Sequence, residues 1–341
     1  MRHQAYMPII VLAALILLET GPVFAQSQTK PSSSTSVKAW TPPKAPNGDP
    51  DLEGTWTSTT TAPFERLPQY GNRLFLTDEE YAESERRLAR QLTIDSQETT
   101  TGAVTIGPPD HWTERASRAS RQTSLVVEPA DGRVPVTAAA EATRDYNLAH
   151  NTDAFEYMSP WDRCITRGFP GGMFPGGYGN VYEIVQSPGH VAIVSEMIHE
   201  TRIIPLNGLP LTNIRQWNGE SRGRWEGNTL VVETTNFNGK GWIATNVASG
   251  RIKGIAQSEA LRVTERFTRT AADTIQYEIT IDDSKIYTKP WKVAFPFTKE
   301  PGAQIFEYAC HEGNYAMSHI LSGARAEEKA AAEAANSRRQ Q

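Results

Sequence analysis

Between residues 274 and 282 apolar and polar positions alternate strictly. Ile275, Tyr277, Ile279 and Ile281 fall on one face, and Thr274, Gln276, Glu278 and Thr280 on the other. A period of two sets one face of a strand against a core. Strand signals of this kind follow one another from Val181 to Cys310 with little between them. Glu226-Gly227-Asn228-Thr229 is a tight-turn signal joining Gly223–Trp225 to Leu230–Asn236. Consecutive antiparallel strands with short turns predict a mainly β meander that closes into a barrel, because closure removes exposed edges.

Ahead of the meander the pattern changes. A short strand is expected at Leu52–Trp56, and a helix over 77–91, where Thr77 and Glu80 have capping-box spacing. Residues 97–120 are polar and read as an exposed loop. Ser124–Val136 reads as a hairpin turning at Pro-Ala-Asp-Gly, and Ala138–Ala149 as a second short helix. Residues 49–150 hold too few apolar runs for a core of their own, so they are expected to wrap the barrel within a single domain spanning 49–322. In 154–180 the rings of Trp161, Phe169, Phe174 and Tyr178 are interleaved with glycines, Pro170 and Pro175. Such a segment suits a cap over a cavity, and equally a packed loop covering one end of the barrel. The tail, 323–341, is rich in Ala, Glu and Arg and reads as a polar helix.

Residues 1–25 read as a secretory signal: Arg2 and His3, the apolar run Pro8–Leu18, then Val23-Phe24-Ala25 at the cleavage position. That run is shorter than the roughly 20 residues a transmembrane helix needs, and no membrane span is expected elsewhere. Residues 26–48, rich in Ser, Thr, Pro and Lys, read as a flexible tether. The protein is therefore expected to be exported, to the periplasm or beyond the cell. A net charge of −5 without a basic stripe argues against a nucleic-acid partner. The two cysteines, Cys164 and Cys310, suit one disulfide in an oxidising compartment, with two buried thiols as the alternative.

Gly54-Thr55-Trp56 at the first expected strand resembles the Gly-X-Trp signature of lipocalin-like barrels. Pro50–Trp56, Tyr178–Gln186, Glu196–Pro205, Arg222–Phe237 and Glu307–Tyr315 resemble segments of a widespread group of uncharacterised exported bacterial proteins. The first resemblance implies a lipocalin-like barrel and the second implies export; neither transfers an activity.

Familiar chemical motifs are missing from the sequence: no Gly-rich phosphate loop before a helix, no His-Glu-x-x-His, no Cys-x-x-Cys, no Gly-x-Ser-x-Gly. No cofactor is expected. If Val191–Ile204 is one strand, Ile193, Ser195, Met197, His199, Thr201 and Ile203 share the uncharged face, which places His199 inside the barrel. An interior histidine can move protons or bind a metal. In a final strand, Glu307 and His311 would share one side, at the barrel mouth. Glu265 shares the register of Leu261, Val263 and Phe267, so it is expected to be buried and to need an Arg or His partner. Arg202 and Tyr178, with Trp161 and Phe174 from the aromatic loop, are candidates for holding a substrate. Two histidines and a carboxylate from separate strands also admit a metal site.

Two readings follow. One is a cofactor-free acid/base enzyme, a lyase, isomerase or hydrolase, with His199, His311, Glu265 and Glu307 at the barrel mouth. The other is a lipocalin-like carrier of a small aromatic or apolar ligand. Every inward assignment rests on alternation, and a one-residue slip inverts it.

Overall fold

The computed structural model describes residues 40–95, 113–245, 247–299 and 302–339. The expected signal segment and most of the 97–120 loop lie outside these, as does most of the expected tether. Residues 43–51, within and just after that expected tether, form a hydrogen-bonded turn in which Ala45 is buried. From Trp40 onward the chain forms one compact unit.

The strands are β1 (Gly54–Thr57), β2 (Val126–Glu128), β3 (Val181–Ser187), β4 (His190–Ser195), β5 (Thr201–Pro205), β6 (Glu220–Glu226), β7 (Thr229–Thr235), β8 (Arg262–Ala271), β9 (Thr274–Asp282) and β10 (Trp291–Thr298). They form one antiparallel sheet in the order β5-β4-β3-β1-β10-β9-β8-β7-β6, with β2 pairing β10 off this path. Its two end strands meet: a Cβ at Gly223 of β6 would lie 2.8 Å from Ile204 and 2.6 Å from Leu206. The sheet thus curls into a nearly closed barrel, as the meander predicted.

Alternation decides what fills the barrel. Val263, Glu265 and Phe267 of β8 stand opposite Ile281, Ile279 and Tyr277 of β9, and all six are buried. Tyr182 stacks on Phe297 at 5.4 Å and Tyr277 on Phe297 at 4.9 Å, with Trp56 and Trp291 also enclosed. Burying each such side chain contributes roughly 1.5–3 kcal/mol, and together they leave an interior packed with rings. The Gly-X-Trp triplet opens β1. Gly54 takes φ +123°, which favours glycine, and Trp56 Nε1 donates to the Leu52 carbonyl at 3.0 Å.

Among the described residues there are three α-helices outside the sheet: α1 (Asp78–Asp95), α2 (Ala138–Ala149) and α3 (Ala316–Arg339). The capping box forms at α1, where Thr77 N–H donates to Glu80 at 2.8 Å and Glu80 N–H to Thr77 Oγ1 at 3.3 Å. The Ser124–Val136 hairpin does not form. Its turn is present, Gly132 N–H donating to the Pro129 carbonyl, but β2 pairs with β10 and the return arm bridges Tyr287 through Val136. The expected final strand is also replaced. Residues 303–309 follow no sheet, and Cys310 is tied back to Cys164 by a disulfide. Among the described residues no helix is long and apolar enough to cross a membrane.

The expected strand Val191–Ile204 is two strands. β4 ends at Ser195, and the chain reverses over residues 196–199, with Ile198 at φ +58° and His199 at φ +43°. Left-handed backbone at a β-branched residue is costly. Burial of Met197 and Ile198 beneath the turn offsets that cost. Because the chain turns, the inward face switches parity: Val191 and Ile193 point in from β4, Arg202 and Ile204 from β5.

Candidate functional site

The place where the barrel fails to close is defined by hydrogen-bond phase. Ser195 N–H donates to the Glu200 carbonyl, and Leu206 N–H to the Gly189 carbonyl, both at 2.8 Å. With the pairing His190↔Pro205 through Val194↔Thr201, this turns the amides and carbonyls of Arg202 and Ile204 towards β4. Those of Thr201 and Ile203 turn towards β6. No strand pairs with that edge of β5. Among the described residues no hydrogen bond from outside the strand ladders reaches the backbone groups of Thr201 or Ile203.

The seam is closed at one end by Ile204 and Leu206 against Gly223, and opens at the other. There a groove of about 930 Å³ runs between β5, the 206–219 connection and the start of β6. Ile203 (56 % exposed) and Leu209 (52 %) give it apolar walls, with Trp217 beside them. Glu200, Arg202 and Asn218 also line a second space of about 20 Å³ beneath the Phe169–Met173 loop. That is room for about one water.

Arg202 forms the boundary between groove and core. Its Nη1 and Nη2 donate to the two carboxylate oxygens of Glu265 at 3.1 and 2.6 Å, and its guanidinium lies 3.9 Å over the Phe169 ring. Tyr277 Oη donates to Glu265 at 2.8 Å, so three donors hold that fully buried carboxylate. Burial opposes the Arg202 charge, but the adjoining Glu265 carboxylate outweighs it, and the guanidinium pKa rises above its ordinary value. Burial, reinforced by the Glu265 charge, pushes the Tyr277 phenol well above its ordinary range. Ser221 and Thr234 extend the network, their hydroxyls 2.8 Å apart, with Ser221 Oγ 3.4 Å from Arg202 Nη2.

Glu200 stands nearer the opening. It accepts from Asn218 Nδ2 at 2.8 Å and from the Arg167 amide at 3.3 Å, while Thr166 Oγ1 donates to Asn218 Oδ1 at 3.0 Å. These bonds fix one carboxylate and one amide side by side at the groove's inner end.

The residues singled out from the sequence divide sharply. Glu265 is buried and paired with an arginine, as its register required. Arg202 lies inside and is that partner, although alternation through an unbroken strand had put it outside. His199 is exposed on the turn, its Nδ1 3.0 Å from the Tyr308 carbonyl, because the reversal at 196–199 removes it from the interior face. Glu307 and His311 are exposed on the irregular segment that replaces the last strand. Phe174 is a core ring packed 5.0 Å from Phe64. Trp161 and Tyr178 sit 6.2 Å apart and only partly buried, and desolvation raises the Tyr178 pKa. The Gly/aromatic loop packs tightly enough that a Cβ on Gly171 would collide with the Ile243 carbonyl oxygen, and its Phe169, Met173 and Phe174 side chains join the hydrophobic core.

Among the described residues no group of three or more His, Cys, Asp or Glu side chains is placed to hold a metal ion. Sequence reasoning passed over Glu200, Asn218, Trp217 and Ser221. Trp217 and Asn218 lie on the long connection between β5 and β6, with Glu200 and Ser221 at the facing ends of those strands, and that these strands do not pair is visible only once the sheet order is known. No family model matches the chain, and no curated protein matches it.

Proposed function

We propose that this is an exported ligand-binding protein that holds a small amphipathic molecule in the β5–β6 groove. The observation that carries the reading is the groove itself, at an unladdered seam with free backbone groups along one wall. Apolar parts of the ligand rest on Ile203 and Leu209, and its polar end meets Asn218 and Glu200. The ligand carries no strong negative charge, since the groove's arginines are already engaged. Arg202 pairs with Glu265, Arg215 with Glu259, and Arg222 with Glu220. The disulfide supports an oxidising compartment, periplasmic or extracellular, in keeping with the signal segment.

Acid/base catalysis in the same groove is a second reading, favoured by Glu200, a carboxylate oriented by Asn218 and lining both spaces. A screen of neutral amphipathic compounds by amide chemical-shift perturbation tests the first reading. Shifts gathered between residues 200 and 222 support it; shifts scattered elsewhere, or none, remove it. Glu200→Gln separates the two, because turnover that survives this change excludes a Glu200-dependent reaction.

A further inference from the structure

We infer that the ligand class suited to this groove is an extended peptide, bound as an additional strand along β5; this rests on the groove being the ligand site. The free groups of β5 carry the argument. Thr201 and Ile203 each present an N–H and a C=O to the seam, and Pro205 adds a carbonyl. Donor–acceptor sets two residues apart repeat about every 6.8 Å along an antiparallel edge, which is the spacing another extended chain offers in return. Thr201 and Ile203 both line the groove and precede the Ile204–Leu206 contact that closes the seam. Pro205 lacks an N–H and limits the register at its end of the edge.

The side chains specify a pattern. Successive residues of an added strand point alternately outward and inward. Outward ones lie over Ile203 and Leu209, both more than half exposed. Inward ones face Arg202, whose guanidinium is already packed against Glu265 and the Phe169 ring, which leaves room only for small side chains. The favoured peptide therefore alternates a larger apolar residue with glycine, alanine or serine. It is uncharged for the reason already given: the arginines facing it are internally paired.

The probe is an end-blocked pentapeptide alternating valine and serine, followed by backbone amide exchange. In the free protein the Thr201 and Ile203 amides exchange quickly, while those of Arg202 and Ile204, in the ladder, exchange slowly. With peptide at about ten times its Kd, exchange at Thr201 and Ile203 slows about tenfold. The same peptide N-methylated at the amides facing β5 gives no such protection. Thr201→Pro deletes one seam-facing donor and no ladder bond, and weakens the pentapeptide while a neutral amphipathic compound resting on Ile203 and Leu209 keeps its affinity.

Equal binding of the N-methylated peptide overturns the proposal, as does protection at some other edge. If the pentapeptide leaves both amides unchanged while a neutral amphipathic compound still shifts residues 200–222, the peptide class falls and the groove stands. If neither binds, both fall.

Discussion

Replacing Glu265 by leucine should be among the most damaging single changes in the barrel, and the structure says by how much. Glu265 is completely enclosed and takes two hydrogen bonds from Arg202 and one from Tyr277. Leucine removes the counter-charge from a guanidinium whose side chain is 13 % exposed and leaves the Tyr277 hydroxyl without an acceptor. Breaking one side of a buried pair costs about 3–5 kcal/mol, a large share of the roughly 5–15 kcal/mol that holds a domain folded. Arg202→Met alone should cost about 3 kcal/mol by stranding the carboxylate. The double variant Arg202→Met, Glu265→Leu leaves only the phenol unsatisfied, at about 1–3 kcal/mol. It should therefore be more stable than Glu265→Leu alone, with a coupling of about 2 kcal/mol or more across the cycle. Urea unfolding at neutral pH, followed by tryptophan fluorescence with the disulfide intact, measures all four corners. Additive costs, or a Glu265→Leu loss below about 1 kcal/mol, would refute the claim that the pair is a coupled buried unit.

Gly223→Val should cost about 1–3 kcal/mol, because its side chain meets Ile204 and Leu206 across the seam; unchanged stability in the same urea assay would show that the seam has slack. Replacing Cys164 and Cys310 by alanine removes a cross-link between residues 146 apart, worth up to about 5 kcal/mol by chain entropy. Limited proteolysis should then cut between residues 303 and 315 faster than in the disulfide-bonded protein. Tyr182, Tyr277 and Tyr287 all have phenol pKa values raised chiefly by burial, Tyr182 to about 12. The fold thus favours their protonated forms. That stabilisation is whole below an unfolded tyrosine's pKa of about 10 and is lost as pH rises from there through about 12. Alkaline unfolding should accordingly release tyrosinate absorbance cooperatively; a gradual rise from the folded protein would contradict it.

The parts legible in sequence were those with a regular local code. Strict alternation located β9 to the residue, Glu226–Thr229 marked the β6–β7 turn, and Thr77 with Glu80 marked the start of α1. Glu265 was found because a carboxylate in an apolar register has to be paired. The failures have equally definite causes. The turn after Ser195 is made by Glu-Met-Ile-His, with no glycine, proline, asparagine or aspartate to announce it, and left-handed residues that propensity would not select. That hidden reversal inverted the remaining assignments within the expected 191–204 strand, moving His199 out and Arg202 in. Residues 303–315 have strand-like composition, but they are held by a disulfide rather than by a ladder. The groove depends on which strands fail to pair, a long-range property with no local signature.

The β1–β10 junction bears on how the whole barrel deforms. β1 is matched to β3 along its length but meets β10 at a single pair, Thr57↔Thr298. On the opposite side, β5 and β6 share no ladder at all. Mechanically the barrel is therefore two stiff leaves, β5-β4-β3-β1 and β10-β9-β8-β7-β6, hinged along a thin line behind and latched in front by Ile204, Leu206 and the Arg202–Glu265 pair. A clamshell opening about that line breaks the fewest ladder bonds. The same motion sets the width of the groove, so whatever stiffens the latch also narrows the mouth.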